Sequence, residues 1–167
     1  MKKVIVSDAS PLIALAKLDC LELLFCSFAE IHLPNAVFME VTTERRRKDA
    51  QHLLMFAERY KGKRFFIHDD LTDTNYKSFK ELLDEGESQA LSLATSLNCA
   101  ILIDEKLGRA IASRYSIPVI GVLGVLLKAK ESGEINLVKP LIESLQENNY
   151  RLSDRVINIV LQRAGEG

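Results

Sequence analysis

Val4-Ile5-Val6-Ser7-Asp8-Ala9-Ser10-Pro11-Leu12-Ile13-Ala14-Leu15 passes from an apolar run through an acid to a helix start. Val4 to Val6 are apolar and β-branched, the composition of a strand buried on both faces. Ser10 followed by Pro11 reads as an N-cap with proline at the first helical position. Asp8 therefore falls at the carboxyl end of a strand, in the crevice where open α/β sheets bind ligands. The fold and the function both turn on which other acids reach that crevice.

The remaining chain alternates short strands with helices. Leu12, Ile13, Leu15 and Ala16 carry a first helix, and Asp19 is placed to cap a short second one over residues 21–25. Ile31-His32-Leu33 reads as a strand ended by Pro34, then a helix with Ala36, Val37 and Val41 on its buried side. A helical period runs from Arg47 to Tyr60 and stops at Gly62, before a strand at Phe65-Phe66-Ile67-His68. Helical periods follow over 76–83, with Tyr76, Phe79, Leu82 and Leu83 apolar, and from Glu85, the latter with Ala90, Leu91, Ala94 and Leu97 on one face.

Cys99-Ala100-Ile101-Leu102-Ile103 is a continuous apolar run, as a fully buried parallel strand requires, and Asp104 ends it. A helix over 106–115, a strand at Pro118-Val119-Ile120 and a helix from Val122 to about Lys130 come next. The tail, about 137–167, holds two more helices, the second capped by Ser153. Strands alternating with helices imply right-handed crossovers and a central parallel sheet covered on both faces. No linker or repeat divides the 167 residues, so the expectation is a single domain over 1–167.

Composition narrows the function. Net charge is −1, which excludes a globally basic nucleic-acid-binding surface and leaves only local contacts. The dense basic run is Arg45-Arg46-Arg47-Lys48, either a solvated helix end or a holder of phosphates. Cys20, Cys26 and Cys99 form no Cys-x-x-Cys pair, and Met1-Lys2-Lys3 leads into a strand instead of a signal peptide; both point to reduced thiols in the cytoplasm. The longest apolar run, 117–127, is too short to span a bilayer, so no membrane association is expected. His32, His52 and His68 show no ligand spacing, and a core or surface role fits each.

Asp8 and Asp104 each follow a strand, so a parallel sheet delivers both to one edge. Each alone also fits a turn or N-cap. Glu87 continues the buried stripe of Ala90 and Leu91, and equally completes a capping box with Asp84. Glu40 borders Val37 and Val41, the position of an ordinary flanking glutamate as well as of an inward-turned one. As a set, four crowded carboxylates raise one another's pKa unless a cation compensates. All-oxygen donors favour Mg²⁺ or Mn²⁺, which can activate water and stabilise both oxygens of an in-line phosphodiester displacement.

Asp8 with Ser10, Glu40 after Leu33-Pro34, Glu87 in Asp84-Glu85-Gly86-Glu87-Ser88-Gln89-Ala90-Leu91, and Asp104-Glu105 resemble the acidic quartet of PIN-domain ribonucleases. Leu107-Gly108-Arg109-Ala110 and Gly121-Val122-Leu123-Gly124-Val125-Leu126-Leu127 resemble a prokaryotic PIN-like subgroup related to VapC-type toxins. The resemblance implies a three-layer α/β/α sandwich with C-terminal helices, and a metal-dependent endoribonuclease acting on RNA as the toxin of a toxin-antitoxin pair. It also implies a cognate antitoxin protein and a homodimer. In this reading Asp8, Glu87 and Asp104 hold Mg²⁺ or Mn²⁺, Glu40 is a ligand or orients the attacking water, and Ser10 and Arg45 to Lys48 contact substrate.

The sequence departs from the family pattern where Ile103 replaces Thr or Ser, Val122 replaces Thr, and Glu105 stands for a second Asp. The competing readings are a catalytically weak or inactive PIN-like binding module and a phosphoryl-receiver or phosphatase domain. Ala9 and Ser10 stand where the receiver requires a second acid.

Overall fold

The computed structural model describes residues 3–167; Met1 and Lys2, and with them the expected run-in to the first strand, lie outside the described residues. Strand β1 (Val4–Ser7) leads into helix α1 (Ala9–Lys17), a 3₁₀ turn over Leu21–Cys26, and strand β2 (Glu30–Pro34). Helices α2 (Asn35–Thr42) and α3 (Lys48–Tyr60) connect β2 to β3 (Phe65–His68), and α4 (Thr74–Lys80) and α5 (Glu85–Leu97) connect β3 to β4 (Ala100–Leu102). After β4 come α6 (Lys106–Arg114), β5 (Val119–Ile120), α7 (Val122–Glu131), α8 (Lys139–Glu147) and α9 (Asp154–Arg163).

The five strands form one wholly parallel sheet in the order β3-β2-β1-β4-β5. The order reverses between β1 and β4. Right-handed crossovers on either side of that reversal put helices on both faces, giving a three-layer α/β/α sandwich with C-terminal helices. In register, Ile5, Ile31 and Phe65 share one face, and Val6, His32 and Phe66 share the other. Ile5, Ile31, Leu33, Phe65, Ile101 and Leu102 are fully buried, as parallel strands covered on both sides must be.

Three local expectations are corrected. Helix α1 starts at Ala9, two residues earlier than Ser10-Pro11 suggested, and Asp8 is its extended N-cap residue (φ −76°, ψ 168°). Ser10 is therefore not the cap, and Pro11 sits inside the first turn, where its missing N–H would have had no helical partner. Asp19 adopts a left-handed φ of 53° at the reversal after α1, and Cys20 takes the cap position of the 3₁₀ turn. Leu97 and Leu82, both expected on apolar faces, are exposed. Helix α5 instead buries every residue from Ser88 to Ala94, because it packs against β1, β2 and β4 while α2 and α4 cover it.

Candidate active site

Adjacent strands β1 and β4 end side by side: Ser7 pairs with Leu102, and Asp8 N–H donates to Leu102 O at 3.0 Å. This brings the two acids that follow them to the sheet's switch point. Asp8 is 5% exposed and makes no side-chain cap bond to α1, so its carboxylate is not engaged in ending a helix. Burial pushes its pKa up to about 7; the Ala9 N–H works against this, and the charges of Asp84, Glu40 and Glu105 add to it.

Asp84 and Glu105 arrive as the N-cap residues of α5 and α6 and Glu87 in the first turn of α5, whereas Glu40 arrives near the C-terminal end of α2. A Cβ at Gly86 would stand 2.8 Å from Glu40 Oε1 and 3.8 Å from Asp84 Oδ1, which locates both acids at the mouth of α5. A Cβ at Gly108 would stand 3.2 Å from Glu105 Oε2 and 3.5 Å from Glu87 Oε2. Burial, with Asp84 next, raises Glu40. Burial, then Asp84 and Asp8, raises Glu87 to about 8. Glu105 is also partly desolvated, but the N–H groups of Gly108 and Leu107, and after them the neighbouring Glu87 carboxyl, outweigh this and hold it below the usual range.

The capping-box reading of Asp84 and Glu87 holds in one half. Asp84 Oδ1 accepts from Glu87 N–H at 2.8 Å, and the Glu87 side chain turns into the acid cluster, its Oε2 buried with no hydrogen-bond partner among the described residues. Glu105, not Asp104, caps α6, accepting from Leu107 N–H at 3.0 Å and Gly108 N–H at 2.5 Å.

Asp104 is held on the other side of the cluster. Its Oδ2 accepts from Val122 N–H at 3.1 Å and from the Tyr150 hydroxyl at 2.5 Å, and its Oδ1 lies 3.6 Å from Arg109 Nη1. Tyr150 also feels the charge of Asp8, after its own burial and that of Asp104, so its phenol stays protonated. Val122 serves Asp104 through its backbone N–H, which any residue but proline supplies; the missing threonine hydroxyl costs this contact nothing. Ile103 is fully buried and its carbonyl accepts from Arg109 Nη1 at 3.1 Å.

The structure therefore groups Asp8, Glu40 and Glu87 with Asp84 and Glu105, and sets Asp104 beside them under Tyr150. Asp84 reads from sequence only as a cap, and Tyr150 lies 46 residues from Asp104 with no local signal. Ser10 is exposed and lines a groove of about 1280 Å³ between α1, the β4–α6 turn and the α8–α9 linker. Asp104, Glu105, Lys106, Lys17 and Arg151 line the same groove. The Arg45 to Lys48 turn is exposed and begins five residues after Glu40, beyond the C-terminal end of α2, and His52 on α3 bonds Ala16 O at 2.8 Å, near the C-terminal end of α1.

Among the described residues no set of three or more His, Cys, Asp or Glu side chains is arranged to hold a metal ion. A hard divalent ion nonetheless fits the Asp8–Glu87 neighbourhood. The donors are all oxygen, Glu87 Oε2 is orphaned, and Mg²⁺ takes one or two carboxylates while keeping its waters. No helix of the described residues is long and apolar enough to cross a membrane, and Cys20, Cys26 and Cys99 are free thiols.

A protein-family model described as a PIN domain matches residues 4–166. No curated protein matches the chain.

Proposed function

The chain belongs to the PIN-domain family, and on that premise we propose that it is a metal-dependent endoribonuclease hydrolysing RNA phosphodiesters, the toxin of a toxin-antitoxin pair. The observation that carries this reading is the meeting of Asp8, Glu40, Asp84, Glu87 and Glu105 at the sheet's switch point, with two carboxyls raised to about 7 and about 8. Such crowding disfavours ionisation unless a cation is present. Asp8 and Glu87 would hold Mg²⁺ or Mn²⁺, which when bound activates water and stabilises the developing charge on a phosphodiester.

The chain's own residues do the rest. Arg109 and the Val122 N–H orient Asp104, and the Leu107 and Gly108 N–H groups hold the Glu105 carboxylate beside Glu87. Glu40, exposed at the mouth with a raised pKa, accepts a proton from the attacking water. Lys17, Lys106 and Arg151 line the groove that opens on Asp104 and hold phosphates of a single strand without reading bases. Arg45 to Lys48, just beyond the end of α2 that carries Glu40, adds phosphate contacts, and a partner that fills the groove acts as antitoxin.

A second reading, a catalytically inactive binding module, is favoured by one observation: Asp104 is already occupied by Tyr150, Val122 and Arg109. Incubation with a mixed RNA pool separates the two. Mn²⁺- or Mg²⁺-dependent cleavage, lost with EDTA and with Asp8→Asn, supports the nuclease; cleavage surviving both controls rejects the mechanism. RNA or protein binding without cleavage supports the module. Growth inhibition on expression, relieved by Asp104→Asn and by the genomic neighbour, is the expected outcome for the toxin.

A further inference from the structure

At the other end of the sheet's edge, two histidines meet that the site above does not use. His32 on β2 and His68 on β3 share the sheet face of Phe66, with His32 Nδ1 2.7 Å from His68 Nε2. His32 Nε2 lies 3.0 Å from Glu30 Oε1, and its side chain is 12% exposed. Phe66 stacks on the His32 ring at 4.7 Å between centroids, fixing its plane. The assembly is a carboxylate, an imidazole and a second imidazole in line.

This is the arrangement of a metal-ligating histidine with its outer partner. A ligand imidazole commonly donates its far N–H to a carboxylate, which fixes the tautomer and aims the near nitrogen. With Nε2–H given to Glu30, His32 Nδ1 carries a lone pair, and His68 Nε2 supplies the proton between the rings. Moving that proton to His68 Nδ1 leaves two facing lone pairs with no change of net charge.

The ring spacing also fits. Metal–nitrogen bonds of about 2.0 to 2.1 Å at a tetrahedral angle require imidazole centroids about 5.2 Å apart and nitrogens about 3.3 Å apart. The centroids stand 5.0 Å apart, with the rings tilted by 30°. At 2.7 Å the nitrogens meet almost in line, and seating the ion swings each ring by about 35° so that both lone pairs converge on it, with the centroids kept near their present separation.

We propose that His32 and His68 form a two-nitrogen site for one late first-row divalent ion, copper(II), nickel(II) or zinc(II), completed by water and oriented by Glu30. Imidazole selects these ions over Mg²⁺ and Mn²⁺. His32 lies one strand spacing and His68 two, about 5 and 10 Å, from β1, and among the described residues no hydrogen bond joins either histidine to the acid cluster. Bound metal staples edge strand β3 to β2.

Tag-free full-length protein titrated with Cu²⁺ in a non-coordinating buffer, followed by electron paramagnetic resonance, tests this. One equivalent is expected to bind with coupling to two nitrogens. His68→Gln and His32→Gln should each weaken binding at least about tenfold, and either variant that keeps the native circular dichroism spectrum suffices. His52→Gln and Asp8→Asn should keep the nitrogen-coupled signal. An oxygen-only spectrum, undiminished binding in both histidine variants, loss of the signal in Asp8→Asn, or no uptake by the wild-type protein would each overturn the assignment.

Discussion

Ionising Asp8 means charging a carboxyl that is 5% exposed and ringed by other acids. Its pKa is about 7 in the folded chain against 3.8 in the open one. A group raised on folding contributes its full stability below pH 3.8, and that stability is lost as pH climbs through about 7. The loss for Asp8 is on the order of 4 kcal/mol, and Glu87 acts in the same direction. Metal-free protein is therefore expected to resist urea better at pH 5 than at pH 8, and Mn²⁺ or Mg²⁺ should raise Tm more at pH 8. Equal gains at both pH values would contradict the cation's role.

The same balance predicts that Asp8→Asn stabilises the metal-free chain at pH 8 by about 1–3 kcal/mol while lowering cleavage at least about a hundredfold. Urea titration and RNA turnover read the two effects separately. Tyr150→Phe removes a charge-assisted hydrogen bond from Asp104 and should cost about 1–2 kcal/mol. Thermal denaturation of the metal-free protein checks it, with cleavage retained because Arg109 and the Val122 N–H still orient Asp104.

At the scale of elements, the acids meet because the starts of α5 and α6 and the end of α2 come close to strand ends, and glycine makes the approach possible. A Cβ at Gly121, the N-cap residue of α7, would stand 2.3 Å from Asp104 Oδ1, and Asp104 is pinned by Val122 and Tyr150 and cannot yield. Gly121→Ala should cost about 1–3 kcal/mol and reduce cleavage disproportionately by displacing Asp104. Denaturation and turnover measured on one preparation decide it; loss of stability with unchanged turnover would remove Asp104 from the reaction. Sequence alone shows Gly121 only as one glycine of a packed segment. The element types were legible because β-branched runs and three-to-four spacing are local signals, whereas Leu97 and Leu82 misled because burial depends on which neighbours arrive.

For the whole molecule, the C-terminal segment joins the sandwich through Glu166. Its carboxylate accepts from Val138 N–H at 2.9 Å, Lys139 N–H at 3.0 Å and Lys130 Nζ at 2.9 Å. Those backbone N–H groups, Val138 foremost, hold its pKa at about 2, below the usual 4.5. A lowered carboxyl contributes stability above pH 4.5 that is lost as pH falls through about 2, the opposite sign to Asp8. Glu166→Gln should lower Tm at pH 7 and flatten its decline toward pH 3, and faster hydrogen exchange in α9 would confirm that the tether has loosened. The metal-free molecule thus loses stability toward both pH extremes.

The amino-acid sequence by itself determined the alternation of strands and helices, the parallel sheet, and the placing of Asp8 and Asp104 at strand ends, since each follows from short-range pattern and strand polarity. Only the tertiary structure decided that Asp84 and Glu105 join Asp8, Glu40 and Glu87, that Tyr150 closes on Asp104, and that His32 faces His68. These are contacts between side chains on separate elements. Their distances depend on strand order and helix approach, which no local spacing encodes.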